Sequence, residues 1–114
     1  MSDVKTIVAD PPVGDADCLR QRCGVLIDAL GGMEMPIDDL RIREAGGCVG
    51  GMLVEMMLSR RLVVPLAESA AVADLCASLK DSFDDADDRS IIAFVHAQAC
   101  AARDGGSDVE VTFR

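Results

Sequence analysis

The interior of this chain has to be built almost without aromatic side chains. Its 114 residues include no Trp, no Tyr and only three Phe, although half of them are hydrophobic. Alanine, valine, leucine and six methionines must therefore fill the core. Thioether side chains adapt to irregular gaps, so we expect a core of small side chains that repacks easily. The length suits one domain that spans residues 1–114.

The spacing of the apolar residues predicts a mainly α fold, a compact bundle of about four helices with short N- and C-terminal β-strands. The alternative is an α+β fold with a small antiparallel sheet. The helices are predicted from a cap at Asp15 or Asp17 to Leu30, from Cys48 to Arg60, from Ala67 to Phe83, and from a cap at Asp87 or Asp88 to Arg103. The strands are predicted at 4–8 and 108–113, and they can pair with each other or with a second copy.

The stretch that leads into the second helix is ambiguous. Pro36 suits the first turn of a helix, and the two acidic residues at 38–39 suit the positive end of its dipole. Residues 40–43 nevertheless alternate like a short strand, and each glycine that follows costs about 1 kcal/mol relative to Ala inside a helix. Residues 37–47 are therefore open to either interpretation. From Cys48 onward the helix is apolar on all sides, which predicts that it is buried.

A further segment, 62–65, is predicted to be a short extended connection. It consists of three apolar residues and a proline, and the residue before a proline avoids the α conformation.

The charge balance argues against one large class of functions. Twenty acidic residues against 11 basic ones give a net charge of −9. No basic stripe interleaved with aromatic residues occurs, and an acidic surface repels a phosphate backbone, so we expect no direct binding of nucleic acid. The carboxylates are typical of a surface that keeps a protein in solution, or of one that binds a basic protein partner.

The start of the chain and its cysteines bear on cellular location. The first residues show no secretory pattern. The most apolar stretch, 45–58, is too short to span a membrane and contains Glu55. Five cysteines are scattered among helical patterns, and this odd number favours reduced thiols. We therefore expect a cytoplasmic protein that does not bind membranes.

The segment Gly46-Gly47-Cys48-Val49-Gly50 matches the pattern of a strand-to-helix turn that exposes a nucleophile. A thiol at a helix N-terminus has a lowered pKa, and His96, the only histidine, is the candidate base. The usual host of this turn is a much larger α/β sheet. The simpler interpretation is that the glycines let helices pack closely while Cys48 fills space, so no catalytic residue is assigned.

The sequence offers weak candidates for a metal site and for a calcium loop, and each has a simpler role. His96 and Cys100 are four residues apart, so they share a helix face and could bind zinc together with Cys18 and Cys23. The spacing of these last two is wrong for a zinc knuckle, and we predict neither metal nor cofactor. The five aspartates within 81–88 lack the alternation of a calcium loop. They are predicted to cap a helix and to stay solvated.

Two groups of side chains are candidates for binding a protein partner. Methionines cluster in one third of the sequence, and those in its connecting segment suit varied apolar partners. The aspartates offer a docking point to an Arg- or Lys-rich partner. The candidates are Met33, Met35, Asp84, Asp85, Asp87 and Asp88.

These observations favour a small acidic non-enzymatic protein-binding module, such as an adaptor, a chaperone-like protein, or an inhibitor or immunity-type protein. The alternative is a small cysteine-dependent enzyme or redox-responsive protein that uses Cys48. A homodimer is also expected, because few large side chains limit the burial within one chain. The glycine pairs 46–47 and 50–51 and the edges of the terminal strands are its candidate surfaces. In the competing view the glycines pack inside the monomer.

Overall fold

The fold is mainly α, as predicted, with a small mixed sheet. The computed structural model describes residues 4–31 and 40–114. Within these ranges the elements are β1 (Val4–Ala9), α1 (Ala16–Gly31), α2 (Leu40–Ser59), β2 (Arg61–Val64), α3 (Leu66–Leu79), α4 (Ala86–Gly105) and β3 (Asp108–Phe113). The helices α1 and α2 pack together, as do α3 and α4, and both α2 and α4 contact the sheet.

Two helices begin at an aspartate whose carboxylate caps free backbone N–H groups. For α1, Asp15 accepts a hydrogen bond from the N–H of Cys18 at 2.9 Å, as the sequence predicts. For α4, the predicted caps were wrong, because the cap is Asp85. Its carboxylate accepts hydrogen bonds from the N–H groups of Asp87 at 2.8 Å and Asp88 at 3.3 Å. Both predicted caps therefore lie inside the first turn of the helix, because the cap is two or three residues earlier than predicted.

α2 resolves the ambiguous stretch as helix. It begins at Leu40, so the strand interpretation of residues 40–43 is wrong, and the predicted start at Cys48 was too late. Residues 37–39 lie outside the described residues. The conformational cost of the glycines is offset by burial on one face of the helix. The side chains that are at most 6% exposed there are Val49, Met52, Leu53 and Met56.

The glycines of α2 do not serve close packing within the described part of the chain. A Cβ atom added at Gly47, Gly50 or Gly51 would meet nothing within 4 Å there. The interpretation that these glycines let neighbouring helices approach inside the monomer is therefore wrong for these three positions.

The C-terminal ends of α3 and α4 were predicted with different success. α3 ends at Leu79 rather than at Phe83, because the chain turns where the N–H of Ser82 donates to the carbonyl of Leu79 at 2.8 Å. Phe83 is nevertheless buried, at 9% exposure. α4 ends as its glycine pair predicts, with Gly106 at a φ of 67° in the left-handed conformation that suits a helix C-terminus.

The sheet has the strand order β1-β3-β2. The terminal strands pair with each other in parallel, with Val4 opposite Asp108. β2 pairs with β3 antiparallel, with Val64 opposite Val109. The segment predicted to be an extended connection is thus a strand, and the sheet is mixed rather than antiparallel. On the helix-facing side the buried side chains are Leu62, Val64, Val109, Val111 and Phe113.

α4 supplies a large part of the core through one face, as its periodicity predicts. The buried side chains of that face are Ile91, Ile92, Val95, Ala99 and Ala102. Beside them Phe94 packs against Phe113 of the sheet, with ring centroids 5.4 Å apart. Among the helices within 4–31 and 40–114, none is long and apolar enough to cross a membrane.

Candidate functional site

The surface feature that we assign to function is a groove between α1 and α2. It has a volume of about 670 Å³. Its apolar part is formed by Val25 and Ile27 of α1 and by Val54 and Met57 of α2. Val25 is 46% exposed and Val54 is 38% exposed. Large apolar side chains with this exposure beside a concave surface are a feature of binding sites for apolar ligands or partners.

Helical periodicity places these residues. In α1 the stripe Leu19, Cys23 and Leu26 is buried, so the neighbouring positions Gly24, Val25 and Asp28 line the groove. In α2 the positions 54 and 57 are three residues apart and share a face. Gly24 places no side chain in the groove, where a Cβ atom would lie 3.8 Å from the sulfur of Met57.

The margin of the groove is charged. Asp17, Arg20 and Asp28 of α1 line it, and all three are exposed. Leu58, which follows Val54 by one helical turn, is 69% exposed. The prediction that an all-apolar α2 is buried on every side was therefore wrong for Val54 and Leu58.

A second feature, at the start of α4, ties this helix to α1. The Nη2 of Arg22 donates to the carboxylate of Asp88 at 2.8 Å and lies 3.3 Å from that of Asp85. The hydrogen bond with Asp88 raises the pKa of Arg22. The backbone N–H groups of Asp88 and Asp87 lower the pKa of Asp85, with a smaller contribution from Arg22. Asp88 is only 7% exposed, so the prediction of a fully solvated cluster was wrong for this residue.

The other partner-binding candidates among the aspartates of residues 81–88 are exposed, as predicted. Asp84, Asp85 and Asp87 are exposed. Arg89 donates from Nη1 to the carbonyls of Phe83 at 3.0 Å and Asp84 at 2.7 Å, which fixes the turn before α4. The carboxylates of Asp84 and Asp87 remain available to a basic partner, whereas Arg22 engages those of Asp85 and Asp88.

Cys48 does not lie in a strand-to-helix turn. It is the ninth residue of α2 and is half-buried, beside a pocket of about 370 Å³ whose lining includes Glu55, Arg61 and Glu68. Arg61 is paired with Glu55 at 3.1 Å. His96 is not among the described residues that line this pocket. Cys48 therefore lies within a helix and not at the helix N-terminus that the nucleophile pattern requires.

The residues considered for a metal site are brought together only in part. The sulfur of Cys100 lies 3.6 Å from Nε2 of His96, as their shared face predicts. Cys18 is exposed at the start of α1 and Cys23 is buried in the core. Within residues 4–31 and 40–114, no group of three or more His, Cys, Asp or Glu side chains is arranged to hold a metal ion.

The two fully buried cysteines are core residues. Burial raises the pKa of Cys23 to about 11. Burial, with a smaller contribution from Cys100, raises the pKa of Cys76 to about 12. Both stay protonated thiols near neutral pH and therefore lack the thiolate that nucleophilic chemistry requires.

The methionine candidates fall into two groups. Met33 and Met35 lie outside the described residues. Met52 and Met56 are buried in the core, and Met57 is half-buried in the groove. Val25 was not predicted as a site residue, although the periodicity of α1 places it off the buried stripe of that helix.

Comparison with known proteins gives no match: no family model, no curated protein and no solved structure is similar to this chain at a significant level.

Proposed function

We propose that this chain is a small acidic non-enzymatic protein-binding module whose docking surface is the groove between α1 and α2. The observation that carries the proposal is the exposure of Val25 and Val54 at the apolar floor of that groove. Sites for small molecules usually enclose most of their ligand. This groove is open to solvent along two helices, and that shape suits a segment of another protein.

The partner that fits is an amphipathic helix with a basic outer face. Two helices that form the walls of a groove accept the apolar stripe of a third helix, through side chains spaced three and four residues apart. Asp17 and Asp28 at the margin and the net charge of −9 attract lysine and arginine outside that stripe. Asp84, Asp85 and Asp87 add exposed carboxylates around the start of α4.

A synthetic helix tests this directly. The probe is a peptide of about 18 residues, long enough to be helical, with leucine on one face and lysine on the other. Its binding is measured by fluorescence anisotropy. We expect Val54→Glu to weaken binding about tenfold or more, because it places a charge in the apolar floor. A matched peptide with glutamate in place of lysine should bind more weakly to the unmodified protein.

The control is Leu66→Glu. Leu66 is 36% exposed against 38% for Val54, but it lies at the start of α3, outside the groove. Both variants add the same negative charge, so simple attraction between an acidic protein and a basic peptide changes equally in the two. Equal binding by the two variants would overturn the groove as the docking surface. The natural partner should be captured from cell extract by the unmodified and Leu66→Glu proteins and lost with Val54→Glu.

The competing proposal, an enzyme or redox-responsive protein that uses Cys48, is tested by thiol titration of the native protein. A catalytic thiolate reacts rapidly at neutral pH, whereas a thiol that only fills space reacts slowly. Rapid and selective modification of Cys48 would favour this alternative over a binding module.

The expected homodimer is part of the proposal as well. Within the described residues the space beside Gly47, Gly50 and Gly51 of α2 is open, so these positions stay candidate contact surfaces for a second copy.

A further inference from the structure

Among the described residues, nothing pairs with the outer edge of β1. β1 lies at the end of the strand order, with β3 on one side only. Just after the last residue of β3, the N–H of Arg114 donates to the carbonyl of Ala9 at 3.1 Å, so the N–H and C=O groups of Ala9 point toward β3. Backbone groups alternate along a strand, which directs the N–H and C=O groups of Val4, Thr6 and Val8 away from the sheet. Within the described residues nothing hydrogen-bonds to them, and Val4 and Val8 are 49% and 57% exposed.

We propose that this edge binds the same edge of a second copy of the chain. The two β1 strands run antiparallel about a two-fold axis, with Thr6 opposite Thr6 of the second copy. Val4 then lies opposite Val8 of the second copy, on both sides of the axis. Every outward-facing backbone group of β1 gains a partner, with two hydrogen bonds for each of three facing pairs and about six in total. The two small sheets become one sheet of six strands. This inference does not depend on the groove between α1 and α2.

The residues of β1 favour this register over the registers that are shifted by two residues in either direction. Val4, Thr6 and Val8 lie on one face of the strand and form a sequence that reads the same in both directions. Valine therefore meets valine and threonine meets threonine, and β-branched pairs stabilise antiparallel strands. A shift of two residues in one direction places Lys5 directly opposite Lys5, and like charges in that position are unfavourable. The shift in the other direction places Val4 opposite Asp10 and leaves fewer facing pairs within the strand.

The distribution of charge also favours a second copy at this edge. The chain has a net charge of −9, yet β1 contains no carboxylate and its single charge is Lys5. Two acidic copies meet here without facing carboxylates. In the proposed register Lys5 lies opposite Ile7, whose side chain the lysine methylenes can cover. The two lysines are diagonal neighbours at about 7–8 Å, a distance at which repulsion is weaker than in a facing pair.

Analytical ultracentrifugation of the full chain, over a range of concentrations and salt, measures the association. We expect the mass to rise toward twice 12.0 kDa as concentration increases. Salt should strengthen the dimer, because it screens the repulsion between two acidic copies. A mass that stays at 12.0 kDa up to about millimolar concentration, where even weak specific pairs form, would overturn the proposal.

Variants then test the edge and the register. Thr6→Pro removes a backbone N–H that faces outward, so the pairing with β3 persists while association is lost. The double variant Val4→Lys/Val8→Lys places like charges opposite each other across the axis, whereas Val4→Lys/Val8→Glu places opposite charges there. We expect the Val4→Lys/Val8→Glu variant to dimerise at least about tenfold more tightly than the Val4→Lys/Val8→Lys variant.

The matched control is Thr112→Lys, on the same exposed face but in the central strand β3. It should leave association unchanged. Circular dichroism and the urea midpoint of each variant show that the monomer is folded. A dimer that survives Thr6→Pro, or that responds equally to the two charge pairs, would place the contact elsewhere and refute the proposed register.

Discussion

Two leucines of α2 offer a direct test of which face of this helix supports the fold. Leu53 is 0% exposed and Leu58 is 69% exposed. The same substitution, leucine to alanine, therefore removes the same atoms from the core in one case and mostly from solvent in the other. Leu53→Ala loses transfer energy equivalent to about three methylene groups, or about 2.4 kcal/mol. With the cavity that remains, the free energy of unfolding should fall by about 2.7–5 kcal/mol.

Leu58→Ala should have a small effect. Less than a third of that side chain is buried, so the transfer loss is about 0.7 kcal/mol. The higher helix propensity of alanine recovers a few tenths of that, leaving a net cost of about 0.5 kcal/mol. The two variants should thus differ by about 2 kcal/mol or more.

Urea denaturation followed by far-UV circular dichroism measures both values. With a denaturant slope of about 2 kcal/mol/M, the midpoint of Leu53→Ala should fall by about 1.5–2.5 M and that of Leu58→Ala by about 0.3 M or less. Equal midpoints would refute the assignment of the inward face of α2. A loss above about 1.5 kcal/mol for Leu58→Ala would show that its side chain is covered rather than exposed.

Three further outcomes are expected. Asp85→Ala should lower the stability of the protein at neutral pH and make that stability depend less on acid. Because the pKa of Asp85 is lowered in the fold, the carboxylate contributes fully above its ordinary pKa of 3.8, and the contribution is lost as the pH falls below that value. Urea midpoints measured across this pH range would show the difference. A thiol reagent near neutral pH should leave Cys23 and Cys76 unmodified until the protein unfolds, and mass spectrometry of the labelled native protein would detect any exception. Gly106→Ala should destabilise the protein by about 1 kcal/mol, because φ is 67° at that residue. Gly105→Ala, at a residue in helical conformation, should not destabilise it. Equal melting temperatures of the two variants would contradict the left-handed cap.

Local patterns predicted the elements whose formation depends on nearby residues. The apolar positions from Ile91 to Ala102 recur at helical spacing, and they are the buried face of α4. The glycine pair at 105–106 ends that helix as expected. Asp15 caps α1 through an N–H only three residues away. Each of these features is decided within one or two helical turns, so the sequence contains the necessary information.

Other features depend on partners that are far away in the sequence. The segment 61–64 became a strand because β3 offers it an antiparallel edge. Asp88 is buried because Arg22, 66 residues earlier, binds its carboxylate. The exposure of Val54 has the same kind of cause, because the described elements cover one face of α2 and leave the other open. Apolar composition all around a helix predicts burial, but it does not say how many neighbours the fold provides.

The central position of β3 has a consequence for the order in which this protein can assemble. β1 and β2 each bond to β3 and not to each other, and β3 follows every other described element in the sequence. During synthesis neither strand can pair with β3 until Phe113 has left the ribosome, so the helices can collapse on β2 while its backbone is still unpaired. Because Val4 pairs with Asp108, closing the sheet joins the two most distant parts of the described chain, a slow step for a small domain. In that interval both edges of β1 are open to other nascent chains.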